Sequence, residues 1–201
     1  MMKKVCIIGI GLIGGSLAKA INKTHQSEIV FGFGRDKSRL EKALKSNVID
    51  QYSTDIGEAL DGANMVIIAT PVGSYESILK EMKPHIVEDM IISDVGSTKV
   101  SVIEAVKAVF DDGLDNFIPA HPIAGKEKSG FEVSDSDLFI NRKVIITPLE
   151  NNNPESIKIL TKMWEGIGAE VDFMTPQSHD DLLGMTSHLP HMLAFSLVNY
   201  L

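Results

Sequence analysis

The sequence predicts an α/β fold, a doubly wound and mostly parallel sheet that leads into the beginning of a helical second domain. Short Val- and Ile-rich runs alternate with helical patterns at the spacing of βαβ units. A glycine-rich turn follows the first run and opens the first helix, and after Pro176 the pattern is helical to the last residue. The 201 residues suffice for one sizeable domain plus the start of another.

Residues 3–8 form the first apolar strand, and Leu17, Ala18 and Ile21 then recur at helical spacing over 16–22. Residues 28–33 read as a second strand and 37–46 as a helix with its charges on one face. Residues 63–70, 90–94 and 116–120 read as further buried strands, with helical segments near 74–82 and 99–110 between them. Residues 121–141 break the rhythm: the stretch is polar, carries two glycines and is long for a connection, which marks it as functional or disordered. A strand over 142–147, a helix over 154–167 and a last strand over 169–173 follow. A helical pattern then starts near Ser178 and runs to Leu201, interrupted at Pro190. The expected division is a dinucleotide-binding domain over 1–175 and the first piece of a helical dimerisation and substrate domain over 176–201. The apolar residues 192–201 have no cap or polar tail, so the remainder of that domain is expected to be missing.

Gly9, Gly11 and Gly14 form G-x-G-x-x-G, a generic pattern that gains meaning from its place between a strand and a helix. The first Gly permits the tight turn, the second lets a pyrophosphate approach the backbone, and the third lets helix and strand pack closely. With Leu12 and Ile13 the turn supplies free amide N–H groups at the positive end of a helix. The domain is therefore expected to be Rossmann-like and to bind NAD or NADP. The second strand ends Phe33-Gly34-Arg35-Asp36, with no carboxylate at Gly34 to repel a 2′-phosphate and with Arg35 placed to pair with one. This favours NADP. Two other assignments stay open: Arg35 as a solvated charge, and Asp36 as a helix cap or a ribose ligand. Thr70, Pro71 and Val72 follow a strand at the edge where such sheets bind ligands, as a wall for the nucleotide or as a plain turn.

Composition excludes other classes. Lys and Arg number 19 against 27 Asp and Glu, a net charge of -8, which argues against a nucleic-acid partner. No apolar run approaches a membrane span, and the N-terminal residues lack the pattern of a secretory signal. The single cysteine, Cys6, sits in an apolar strand as core filler, which suits the reducing cytoplasm.

Two strand ends carry polar clusters, Asp94-Val95-Gly96-Ser97-Thr98-Lys99 and His121-Pro122-Ile123-Ala124-Gly125-Lys126-Glu127-Lys128-Ser129-Gly130. A His directly after a strand, followed by Pro and a glycine-bearing loop, is a candidate for acid–base work. With the glycine turn and Ser187-His188-Leu189-Pro190-His191, these clusters make the whole chain resemble the prephenate dehydrogenase family, which includes arogenate and cyclohexadienyl dehydrogenases.

The resemblance implies NAD(P)-dependent oxidative decarboxylation of prephenate or arogenate on the route to tyrosine, by a homodimer acting on a small-molecule substrate. It implies that His121 accepts the proton of the ring hydroxyl and that Ser97 orients His121 and that hydroxyl; Ser97 as the N-cap of the next helix is an equal alternative. His188 and His191 resemble substrate-pocket histidines, with a cap at a broken helix as the alternative, and no third ligand accompanies them for a metal. Glu127 resembles a residue controlling access to the pocket, and a charged loop tip explains it equally well. His179-Asp180-Asp181 reads most simply as the acidic opening of the last helix. Two features depart from the family pattern: no Arg here matches the one that binds a substrate carboxylate in the helical domain, and Gly34-Arg35 stands where many NAD-using members carry an acid. Two other functions stay open, another small-acid dehydrogenase and a nucleotide-sensing module without catalysis.

Overall fold

A computed structural model of the protein describes residues 1–111 and 113–185. Ser187, His188 and His191 of the expected substrate pocket, and the apolar segment 192–201, lie outside the described residues.

The elements run in the order β1 (Met2–Ile8), α1 (Leu12–Lys23), β2 (Ser27–Phe33), α2 (Lys37–Lys45), β3 (Gln51–Ser53), α3 (Ile56–Leu60), β4 (Met65–Ile68) and α4 (Tyr75–Met82). They continue with β5 (Ile91–Asp94), α5 (Val100–Phe110), β6 (Phe117–Ile118), β7 (Ala120–Pro122), β8 (Lys143–Ile146), α6 (Pro154–Gly166), β9 (Glu170–Phe173) and α7 (Pro176–Leu183). Six parallel strands form one sheet in the order β3-β2-β1-β4-β5-β6, the doubly wound arrangement of a Rossmann domain. The order reverses at β1, so a crevice opens beyond its carboxyl end, between β2 and β4.

Strand alternation builds two cores. Val5 and Ile7 of β1, Met65 and Ile67 of β4 and Ile91 of β5 face a cluster that contains Leu17, Ile21, Phe139 and Trp164. Cys6, Ile8, Val66, Ile68 and Ile92 face the other way, onto Tyr75, Leu79, Val102 and Val106 of α4 and α5. Cys6 is fully buried, and burial pushes its thiol up to about 12, so it packs as a small apolar side chain.

Residues 116–120 do not form one strand. Pro119 lacks an N–H and divides them: β6 stays in the parallel sheet, while β7 starts a second sheet, β7-β8-β9, in which β7 and β8 are antiparallel. The strands expected over 142–147 and 169–173 belong to this second sheet. His121 therefore lies within a strand, paired with Ile145, and not directly after one. The last helix begins at Pro176, two residues before the expected start, with Thr175 as its cap. The short elements β3 and α3 had no periodic signature in the sequence, being only three and five residues long.

Candidate active site

A groove crosses the carboxyl edge of the parallel sheet. One half is lined by Gly9, Gly11, Gly34, Arg35, Arg39, Thr70 and Pro71. The other half is lined by Leu12, Ile13, Val72, Ser97 and His121, and it shares Gly11, Thr70 and Pro71 with the first. The two halves meet at the turn before α1, which gives the groove the layout an extended dinucleotide needs: one pole at the arginines, the other at His121.

The turn is shaped for backbone approach. Gly9 has φ +98°, and a Cβ there would lie 2.7 Å from Thr70 Cγ2. A Cβ at Gly14 would lie 2.1 Å from the Gly9 carbonyl oxygen, so the helix and the turn touch backbone to backbone. Gly11 meets nothing within 4 Å on its Cβ side and thus faces the groove. No side chain caps α1 at Gly11, and the first-turn amides, which lack intrahelical acceptors, point their positive dipole end into the groove. These residues fit a pyrophosphate, and with it NAD(P).

Just beyond the end of β2 Asp36 caps α2, its Oδ1 accepting from Arg39 N–H at 3.1 Å. Arg35 and Arg39 are both exposed on the groove, and among the described residues neither is in an ion pair. The chain has three arginines, and two of them line this half of the groove in a protein of net charge -8. Arg39 had no signal of its own in the sequence; only the first turn of α2 brings it beside Arg35.

At the opposite pole a buried polar network fixes the strand that carries His121. Lys99 is fully buried, and its Nζ donates to Asp94 Oδ2 at 2.6 Å and to the Ala120 carbonyl at 2.6 Å. Asp94 also accepts from Ala120 N–H at 3.0 Å, from Gly96 N–H at 2.8 Å and from the Tyr75 hydroxyl at 3.2 Å. Burial pulls the Lys99 ammonium down, with the Asp94 carboxylate opposing it; burial and the same carboxylate push the Tyr75 hydroxyl up. Both polar atoms of Ala120 are thus pinned, one residue before His121.

His121 Nδ1 lies 2.9 Å from His179 Nε2, and His179 Nδ1 lies 2.7 Å from Asp180 Oδ1. Asp180 accepts the amide N–H groups of Lys99 at 2.7 Å and Val100 at 2.9 Å, so α7 caps α5 from outside. This corrects two assignments. Ser97 does not cap α5, which begins at Val100 with no side-chain cap of its own; Ser97 is exposed on the groove with His121. His179 and Asp180 do not open α7, which starts at Pro176 with no acid in its first turn; His179 is instead fully buried against His121. The sequence signal was weak but present: His179 and Leu183 are four residues apart on the buried face of α7, where a histidine needs a partner. Glu127 lines a separate surface hollow with Lys126, Lys128 and Glu132, away from the His121 half of the groove.

The family model for the prephenate dehydrogenase nucleotide-binding domain matches residues 17–173, and that for the prephenate dehydrogenase dimerization domain matches residues 175–201. The chain belongs to the prephenate dehydrogenase family. A cyclohexadienyl dehydrogenase of Zymomonas mobilis is 34% identical over 98% of this chain and 67% of its own length. A prephenate dehydrogenase of Bacillus subtilis is 34% identical over 99% of this chain and 54% of its own length. The chain thus spans between half and about two thirds of these curated relatives. Among solved structures, prephenate dehydrogenase of Aquifex aeolicus in complex with hydroxyphenyl propionate and NAD+ superposes with a TM-score of 0.93 at 33% identity, covering 100% of this chain and 70% of that one. This family is one of NAD(P)-dependent oxidoreductases, and the nucleotide-binding domain accounts for the groove. Among the described residues, no helix is long and apolar enough to cross a membrane.

Proposed function

We propose that this chain carries the nucleotide site and the catalytic histidine of a cytoplasmic dehydrogenase that oxidatively decarboxylates prephenate or arogenate, with NADP as the preferred cofactor. The observation that carries the reading is the single groove joining the pyrophosphate turn at Gly11 to His121 and Ser97. The preference for NADP is supported by Gly34, by the engagement of Asp36 in capping, and by the two arginines beside the ribose position. The division is read at residue 175, with 176–201 contributing to a helical domain that pairs two copies and completes the substrate pocket with His188 and His191.

The bound nicotinamide supplies a hydride acceptor. His121 accepts the proton of the ring hydroxyl, which raises electron density on the carbon that loses hydride. Carbon dioxide leaves from the opposite ring carbon, and its bonding pair completes the aromatic ring. Ser97, exposed beside His121, orients the hydroxyl. Prephenate and arogenate differ by a keto against an amino group on the side chain, and the scheme is the same for both.

Two measurements test the reading. Calorimetric titration of NADP+ and NAD+ at fixed salt is expected to give the tighter isotherm with NADP+; tighter NAD+ would move ribose recognition to another group. Assay of the whole protein with prephenate and arogenate should show reduction of the nucleotide, and His121→Asn should abolish it with cofactor affinity unchanged. Turnover retained in that variant would remove His121 from its role. Nucleotide binding without turnover of either acid would favour a sensing module instead.

A further inference from the structure

We propose that His179 is a positioning residue that sets the tautomer of His121, so that the lone pair able to accept a substrate proton sits on Nε2. The inference rests on the reading of His121 as the base. An ionised carboxylate only accepts hydrogen bonds, so Asp180 Oδ1, 2.7 Å from His179 Nδ1, requires the proton of His179 on Nδ1. A neutral imidazole protonated there carries its lone pair on Nε2. That atom lies 2.9 Å from His121 Nδ1, and a lone pair facing it requires His121 to be the donor, Nδ1–H. The lone pair of His121 then falls on Nε2.

Each link is held from outside the chain of rings. The Lys99 and Val100 amides fix both oxygens of Asp180 at the start of α5. Burial alone would push that carboxyl up, but the two amides and His179 outweigh it and hold it below the usual carboxylate range. The ring centroids are 5.1 Å apart with only 2.9 Å between the facing nitrogens, so the two imidazoles meet nitrogen to nitrogen with their planes turned by 65°. The groups facing His179 are Asp180 of its own helix, Lys99 before α5, Asp94 at the end of β5 and His121 of β7. Burial lowers the pKa of His179, and the neighbouring Lys99 charge adds to this against the two carboxylates. A charged His179 would present Nε2–H to His121 and force the proton of His121 onto Nε2, where no base remains. Neutral His179 is therefore part of the arrangement.

The test is a 15N-histidine NMR spectrum of the chain, with the His121 signals assigned by their loss in His121→Asn. The expected result is a protonated Nδ1 and an unprotonated Nε2 at His121. His179→Leu, which removes the acceptor, should shift His121 toward the Nε2–H form and lower kcat of the whole protein by tenfold or more, on the order of a general-base contribution, with KM unchanged. His179→Gln places an amide oxygen near the position of Nε2 and should restore both the Nδ1–H signal and most of kcat. A wild-type spectrum with the proton on Nε2 would overturn the proposal, as would a folded His179→Leu protein that keeps the Nδ1–H form and full kcat. If the Leu variant does not fold, the wild-type and Gln spectra still decide. The expected tautomer without turnover of prephenate or arogenate would leave the His179 contact standing and sink the assignment of the reaction.

Discussion

His179 Nε2 stands 2.9 Å from His121 Nδ1 although the two residues are 58 positions apart in the chain. The contact exists because Asp180, the next residue, caps α5 through the amides of Lys99 and Val100. One short segment of α7 thus ties the last helix to the strand end that carries Ser97 and to the second sheet that carries His121.

That tie predicts how stability follows pH. The folded pKa of His179 lies below its ordinary value of 6.5, chiefly because it is buried. As pH falls below about 6.5 the unfolded chain therefore binds protons that the folded one refuses, and stability declines until the folded value is passed. Asp180 is held below its ordinary value of 3.8 despite its burial, so its contribution is complete above 3.8 and is lost as pH falls through the lower folded value. Thermal midpoints measured from pH 8 down to pH 3 should fall in both windows. His179→Gln should remove the upper decline and leave the lower one; an upper decline that survives the substitution would place its source elsewhere.

The buried pair Lys99–Asp94 predicts a large single-site effect. Both side chains are fully buried, and their Nζ to Oδ2 distance is 2.6 Å. Lys99→Met leaves the Asp94 carboxylate with hydrogen bonds but no counter-charge, a change that costs roughly 3–5 kcal/mol for buried pairs. Asp94→Asn in the same chain removes the stranded charge and should recover part of that loss. Denaturant unfolding of both variants checks the pattern, and a double variant no more stable than Lys99→Met alone would contradict it.

The extent to which the sequence foretold this site depends on chain distance. The βαβ rhythm and the glycine turn are local, so β1, β2, α1 and the placement of Gly9, Gly11 and Gly14 were legible from spacing alone. Ser97 was placed at the groove because it follows β5 at the ligand-binding edge; His121 reaches the same groove from within β7, not from the strand end the sequence suggested. The second sheet was not, because a break at Pro119 between two apolar pairs resembles one continuous strand. Lys99 and Asp94 were read only as members of a polar cluster, since burial of a lysine is settled by packing rather than by its neighbours in sequence. His179 and Asp180 read as an acidic helix opening, an adequate local explanation, because periodicity did not mark the earlier start of α7 at Pro176 that moves them past the first turn.

Gly14 offers a test of the turn itself. A Cβ there would stand 2.1 Å from the Gly9 carbonyl oxygen, a backbone atom that cannot move without opening the turn. Gly14→Ala should cost about 1–3 kcal/mol, the usual range for overpacking, and should weaken NAD+ and NADP+ alike. Gly11→Ala meets no protein atom within 4 Å, so it should leave the thermal midpoint nearly unchanged while still weakening both nucleotides. Equal nucleotide affinity in Gly11→Ala and the unaltered chain would show that the pyrophosphate lies elsewhere.

The arginine pair separates charge recognition from general nucleotide binding. Arg35 and Arg39 line the groove from consecutive turns of chain, and Asp36 between them is occupied with the cap of α2. A hydrogen bond to a charged group contributes about 1.5–3 kcal/mol, so losing one guanidinium should weaken NADP+ by roughly 10- to 150-fold. NAD+ has no 2′-phosphate and should bind Arg35→Ala and Arg39→Ala about as tightly as it binds the unaltered chain. The salt dependence of NADP+ binding should also flatten in each variant, because fewer screened charges remain at the ribose position. If both substitutions weaken the two nucleotides equally, the arginines hold the adenine face or the loop and not the 2′-phosphate, and the basis for preferring NADP is gone.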